Sequence, residues 1–167
     1  MTDSLPVVTF EALHADARMP SRATADSSGY DLSACLRGRS VKVFVSGAMT
    51  ERAIGADDAL ILAPGEIALV PLGFRARLPS HFEAQIRIRS SAALKKGLTL
   101  PNAPGTIDAD YPDEWLVMTR NSGTQDVRID HGERIAQAVL ARYEVADWKP
   151  GTVAKSTDRS GGLGSTG

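Results

Sequence analysis

Asp108 and Asp110 stand two positions apart in "PNAPGTIDADY" (101–111), with Tyr111 immediately after them. A carboxylate there could orient and deprotonate a water, and the ring could lie against a sugar or a base. A Pro-Gly turn followed by acids is also the composition of a solvated hairpin with a half-buried tyrosine, so the stretch alone leaves both readings open. On an extended segment the two aspartates share a face, with Tyr111 opposite or rolled over at a bend. "RIRSSAALKKG" (87–97) is the second candidate. A helix starting near Ser90, with serines where an N-cap belongs, would present free N–H groups beside Arg89, which suits a phosphate chain. An ordinary N-cap next to a surface arginine reads the same way. The third is the tail "RSGGLGSTG" (159–167), where glycines let successive N–H groups wrap an anion after Arg159. Termini of that composition are also commonly disordered.

Other chemistries find no footing. His14, His81 and His131 lie far apart, none at a ligand-pair spacing, which argues against zinc. Cys35 is the single cysteine; it excludes an intramolecular disulfide framework and fits a reducing compartment. No glycine-rich stretch ends in Gly-Lys-Ser/Thr, so there is no Walker loop. The formal net charge of -1 lacks the basic excess of a nucleic-acid binder. No apolar run approaches membrane-spanning length. "MTDSLPVVTF" carries an acid where a signal peptide carries positive charge. The expectation is a soluble cytoplasmic protein, and 167 residues can bury a real core as one domain.

The elements that must position these residues read mainly as strands. "FEAQIRIR" (82–89) alternates, with Phe82, Ala84, Ile86 and Ile88 on one face and Glu83, Gln85, Arg87 and Arg89 on the other. "EIALVPLGFRARL" (66–78) is a strand run broken by Pro71 and Gly73, and "WLVMTR" (115–120) and "DVRI" (126–129) flank the turn-rich "NSGTQ". "RIAQAVLARYEV" (134–145) fits both periods and is assigned to strand from its neighbours. Two helices are expected, at 90–97 with Gly97 as its stop, and a short one at 10–17. Segment 36–61 reads as a strand at 41–45 followed by a loose, mildly acidic continuation. Short strands between Gly/Pro turns suggest an all-β antiparallel barrel or jelly roll.

Taken together, the stretches resemble the trimeric dUTPase family. Five motifs match in order: "SSGYDLSA" (27–34), "RSSAALKKG" (89–97), "PNAPGTIDADY" (101–111), "GERIAQ" (132–137) and "RSGGLGSTG" (159–167). The resemblance implies a jelly-roll-like β fold in residues 1–155, a glycine-rich lid in 156–167, and a homotrimer with active sites shared between subunits. It implies hydrolysis of dUTP to dUMP and pyrophosphate with Mg²⁺, which limits uracil in DNA and supplies dUMP. By position, Asp108 matches the residue that activates water. Asn102, with the backbone around it through Gly105 and Ile107, matches the uracil reader, and Tyr111 the ring under the deoxyribose. Arg89, Ser90, Ser91 and Gln137 match groups around the triphosphate. Asp31 matches the acid that meets the metal through water, and Arg159, Leu163, Gly164 and Ser165 match the lid. The chain departs from the family pattern at Leu163, where an aromatic is usual, at Ile88 for proline, at Pro112-Asp113 for Arg-Gly, and in the length of 36–61. A dCTP deaminase-like enzyme and a non-catalytic nucleotide-sensing trimer are the alternatives on the same fold.

Overall fold

The computed structural model describes residues 5–158. In chain order its elements are β1 (Thr9–Ala12), β2 (Ser21–Arg22), β3 (Gly29–Ser33), β4 (Ser40–Val45), β5 (Ala48–Ala53), β6 (Ala59–Leu62) and β7 (Ile67–Pro71). There follow β8 (Phe74–Arg77), β9 (Phe82–Ile88), the helix α1 (Ser90–Lys96), β10 (Leu98–Thr99) and β11 (Gly105–Ile107). β12 (Leu116–Asn121), β13 (Val127–Asp130) and β14 (Arg134–Arg142) complete the order. All pairings are antiparallel. Among the described residues there are two five-stranded sheets, β10-β12-β7-β4-β5 and β11-β9-β14-β3-β2, and two separate two-stranded pairs, β1-β8 and β13-β6. The strands form sheets that do not close into a barrel. No helix among the described residues is long and apolar enough to cross a membrane.

Alternation in the sequence becomes burial in the fold. Ala84 and Ile86 of β9, Val41 and Val43 of β4, and Val117 of β12 point inward and are almost fully buried, joining Leu32, Leu60, Leu62 and Phe74 in one core. The ambiguous 134–145 run is the long strand β14, bonded to β9 on one side and β3 on the other.

The helix expected at 10–17 does not form. Residues 9–12 pair with β8, in register from Thr9 opposite Arg77 to Ala12 opposite Phe74. The Phe10 ring packs 5.1 Å from Phe74, and Glu11 meets Arg75 in a two-point ion pair of 2.9 Å contacts. Cross-strand partners override a weak helical preference. In segment 36–61 the expected strand at 41–45 forms as β4, while the continuation expected to be loose carries β5 and β6. β4 and β5 form a hairpin through Ser46 and Gly47, whose φ angles of 49° and 89° give the two-residue turn that matches strand twist. The helix at 90–97 does form, but Arg89 rather than a serine stands at its N-cap, with no side-chain capping bond. Gly97 ends it in the left-handed region at φ 63°, its N–H donating to the Ala92 and Ala93 carbonyls.

Candidate active site

Three strands build one half of the site. Gln137 on β14 lies opposite Asp31 on β3 and opposite Arg87 on β9. Directly opposed residues of antiparallel strands project from the same face. One residue along, Leu32, Ala136 and Ile88 are in register and turn to the core side. A bulge between Arg134 and Ala136 interrupts the β3–β14 ladder. It lets both Ile135 and Ala136 stay fully buried while Arg134 turns outward onto the face of Asp31. Without the bulge, strict alternation from buried Ala136 would aim Arg134 into the core as well.

Asp31 is therefore gripped from two sides. Its Oδ1 lies 2.9 Å from Arg89 Nε in an ion pair, and its Oδ2 accepts from Arg134 Nη1 at 2.8 Å. Arg89 is anchored further: its backbone N–H donates to the Ile135 carbonyl at 3.0 Å, and its Nη1 donates to the Arg134 carbonyl at 3.3 Å. Gln137 owes its space to Gly29, where an added Cβ would fall 2.0 Å from Gln137 Oε1. Beside Arg89, Ser90 and Ser91 are exposed in the first turn of α1, which holds no acidic residue. Arg134 and Gly29 escape a reading of the sequence. Both lie inside recognised motifs, but only the β3–β14 pairing reveals what they touch.

The other half is built on the edge strand β11, which pairs with β9 from Gly105 opposite Ile86 to Ile107 opposite Ala84. A Cβ at Gly105 would lie 3.3 Å from both Asn102 Nδ2 and Ile86 Cβ, so glycine lets the Asn102 amide and the neighbouring strand approach. Ile107 is buried, whereas Asn102, Asp108 and Asp110 are exposed. The segment after Ile107 is a turn, closed by Tyr111 N–H donating to the Asp108 carbonyl at 3.2 Å. Asp108 and Asp110 are thus not on one face of an extended strand. Tyr111 is half-buried against the core, and burial together with the negative Asp113 and Glu114 pushes its phenol above the usual range. The hydroxyl stays protonated, and reaches toward the Glu114 carbonyl at 3.4 Å.

Asp108 does not reach the Asp31 platform within one chain, although Gly105 lies opposite Ile86, next to Arg87. Ile107 is level with Ala84 near the start of β9, while Arg89 follows its end. At roughly 3.3 Å per residue, Asp108 and Arg89 are about 17 Å or more apart along the strand. Among the described residues no group of three or more His, Cys, Asp or Glu side chains comes together to hold a metal ion. Arg159, Leu163, Gly164 and Ser165 lie outside the described residues.

The chain is similar to known proteins over most of its length. The dUTPase family model matches residues 54–167. The deoxyuridine 5'-triphosphate nucleotidohydrolase of Rickettsia akari is 46% identical over 125 residues, 71% of this chain and 84% of its own length. That of Rickettsia bellii is 41% identical over 151 residues, covering 90% of this chain and 87% of the relative. Among solved structures, the dUTPase of Streptococcus mutans superposes with a TM-score of 0.63 at 26% identity, covering 84% of this chain and 99% of that one. A strand platform that carries Asp31, Arg89 and Gln137, an Asp-Ala-Asp-Tyr turn at the far end of the same sheet, and relatives aligned across both belong together: the chain is a member of the dUTPase family.

Proposed function

We propose that the protein hydrolyses dUTP to dUMP and pyrophosphate, at sites assembled from more than one copy of the chain. The carrying observation is the separation along β9. The phosphate-suited groups and the water-suited carboxylate occupy opposite ends of one strand, so a second copy must bring its Asp108 turn to the Asp31 platform. A homotrimer with three shared sites satisfies this by closed symmetry.

In the proposed reaction, Asp108 holds a water in line with the α-phosphorus and takes its proton as the P–O bond forms and pyrophosphate leaves. Exposure in the single chain suits that role, since the carboxylate is reachable by a ligand held on another subunit. Arg89, Ser90, Ser91 and Gln137 donate to phosphate oxygens where negative charge accumulates. Asn102 and the backbone near Gly105 and Ile107 read uracil. Cytosine reverses the donor and acceptor at the pairing edge and would leave buried groups unpaired. Tyr111 lies against the deoxyribose and leaves no room for a 2′-hydroxyl. The lid residues Arg159, Leu163, Gly164 and Ser165 close over the ligand.

Both Asp31 oxygens are taken by arginines, and no carboxylate cage surrounds them. That donor set fits Mg²⁺ carried mainly by the triphosphate, with Asp31 accepting hydrogen bonds from its waters. Once bound, the ion would neutralise polyphosphate charge. We place this activity in the cytoplasm, where nucleotides are free.

Pyrophosphate release measured side by side with dUTP, dCTP, dTTP and UTP tests the reading. Release from dUTP alone is expected. Ammonia release from dCTP would favour a deaminase, and nucleotide binding without turnover a sensing trimer. Sharing is tested by mixing Asp108→Asn protein with protein truncated after Arg159. Activity should reappear after subunit exchange, and background activity after demonstrated exchange would sink the shared site.

A further inference from the structure

The segment 36–61 has no role in the reading so far, yet it reaches the turn that carries Tyr111. Arg39, just before the β4–β5 hairpin, donates from Nη1 and Nη2 to the two carboxylate oxygens of Glu114, each at 2.6 Å. Both side chains are largely shielded, at 24% and 19% exposure. Glu114 Oε1 also accepts the backbone N–H of Gly73 at 2.6 Å. Gly73 has φ 77°, and an added Cβ there would fall 2.7 Å from the buried Cys35 sulfur, so neither the residue nor its neighbour has freedom to drift. On either side of Glu114 the chain is tied down as well. Trp115 N–H donates to the Phe74 carbonyl at 2.9 Å, and the Tyr111 hydroxyl points to the Glu114 carbonyl.

We infer that Arg39 and Glu114 form a clamp that sets the depth of Tyr111, and so govern discrimination between deoxyribose and ribose nucleotides. A two-point guanidinium–carboxylate contact fixes orientation as well as distance. Its position matters because the chain from Asp108 to Glu114 is otherwise irregular and short of backbone partners. Pro112 lacks an N–H altogether, and Asp113 is exposed. Other charges nearby do not substitute. Asp16 is already taken up by Arg37 at 3.1 Å. The Cys35 thiol, pushed up mainly by burial, stays neutral beside Arg39. The Glu114 carboxylate raises the Arg39 guanidinium above its ordinary value. Arg39 and Glu114 are positioning residues, since neither need touch the nucleotide.

This inference rests on the reading of Tyr111 as the sugar wall, and the experiment separates the two. Arg39→Met, Arg39→Lys, Glu114→Gln and Tyr111→Ala are compared with the parent for kcat and KM on dUTP and UTP, and for amide exchange across 108–114. Glu114→Gln and Arg39→Lys keep shape, so they carry the test if Arg39→Met folds poorly. Loss of the clamp should raise KM for dUTP about tenfold with kcat little changed, and cut the dUTP-to-UTP ratio in kcat/KM by a similar factor. Amide exchange of the turn should quicken about tenfold or more. Arg39→Lys should retain part of the discrimination. An equal loss for both nucleotides, with turn exchange unchanged, overturns the clamp. If Tyr111→Ala lowers the ratio and the clamp variants do not, the clamp alone is wrong. If Tyr111→Ala leaves the ratio unchanged, the sugar-wall reading fails and takes the clamp's role in specificity with it. A parent without dUTP turnover removes the functional reading, and unchanged exchange in Arg39→Met then removes the clamp independently.

Discussion

The two ends of β9 are built on different principles. At the Arg89 end, three strands in register bring Asp31, Arg134 and Gln137 to one face, and ion pairs hold them before any ligand arrives. At the Asp108 end, an edge strand of three residues gives way to an exposed turn. Groups that bind a highly charged ligand gain from being fixed, because the cost of ordering them is met by folding. A group that must take a proton from water needs access, and the fixed environment can come from the partner surface. On the proposed function, the comparison teaches that binding and chemistry sit on separate scaffolds, which assembly of more than one copy would join.

The largest effect is expected at the exposed end. Asp108→Asn should leave folding and nucleotide binding intact while lowering kcat by about 10²–10⁴-fold, because an amide cannot accept the proton. Single-turnover kinetics beside equilibrium binding checks this, and near-normal turnover would remove Asp108 from the mechanism. The opposite signature is expected at the platform. Asp31→Asn strands two guanidiniums and should cost stability, about 2 kcal/mol, alongside activity, with a thermal midpoint lower by about 5 °C. A variant that loses activity with an unshifted melting curve would mean that the ion pairs do not organise this end.

Gly29→Ala probes the platform more gently. The added methyl must push the Gln137 amide aside, so KM should rise about three- to tenfold with kcat nearly retained. Unchanged KM would show that Gln137 does not face the ligand. The smallest effect serves as a control for both ends. Glu66 lies away from either end, and its carboxyl is held below the usual range chiefly by the Arg52 ion pair. A depressed folded-state value means that its stabilisation is complete above the unfolded value of about 4.3 and fades as pH falls through the folded one. Glu66→Gln should flatten the decline in melting temperature below about pH 5 and leave activity at neutral pH alone. Denaturation curves from pH 3 to 7 decide it.

Much of this was legible in the sequence, for reasons that follow from local physics. β9 declared itself by alternation, α1 by its helix formers and Gly97, and the site motifs by residue types in order. What stayed hidden was set by partners distant in sequence. Residues 10–17 look helical until β8 is beside them, with Phe74 and Arg75 waiting for Phe10 and Glu11. The bulge that frees Arg134 exists only as a mismatch between two strands. The part of 36–61 after the expected strand looked loose because β5 is exposed along most of its length and so lacks an apolar rhythm. Arg39 gave no signal, since its partner Glu114 is 75 residues away.

Distance along the chain has a consequence in time as well. Arg134 and Asp31 are 103 residues apart, and β14 is the last strand of the fold. Pairings that close loops of this length pay their entropy before any contact rewards it, and they form late. Until β14 docks, β3 has only the two-residue strand β2 beside it, and Asp31 lacks the Arg134 arm. The platform therefore matures only when nearly every other element is in place. If Asp31 serves the proposed reaction, a partly folded chain should be catalytically silent rather than partly active, and turnover during refolding should report arrival at the finished state instead of progress toward it.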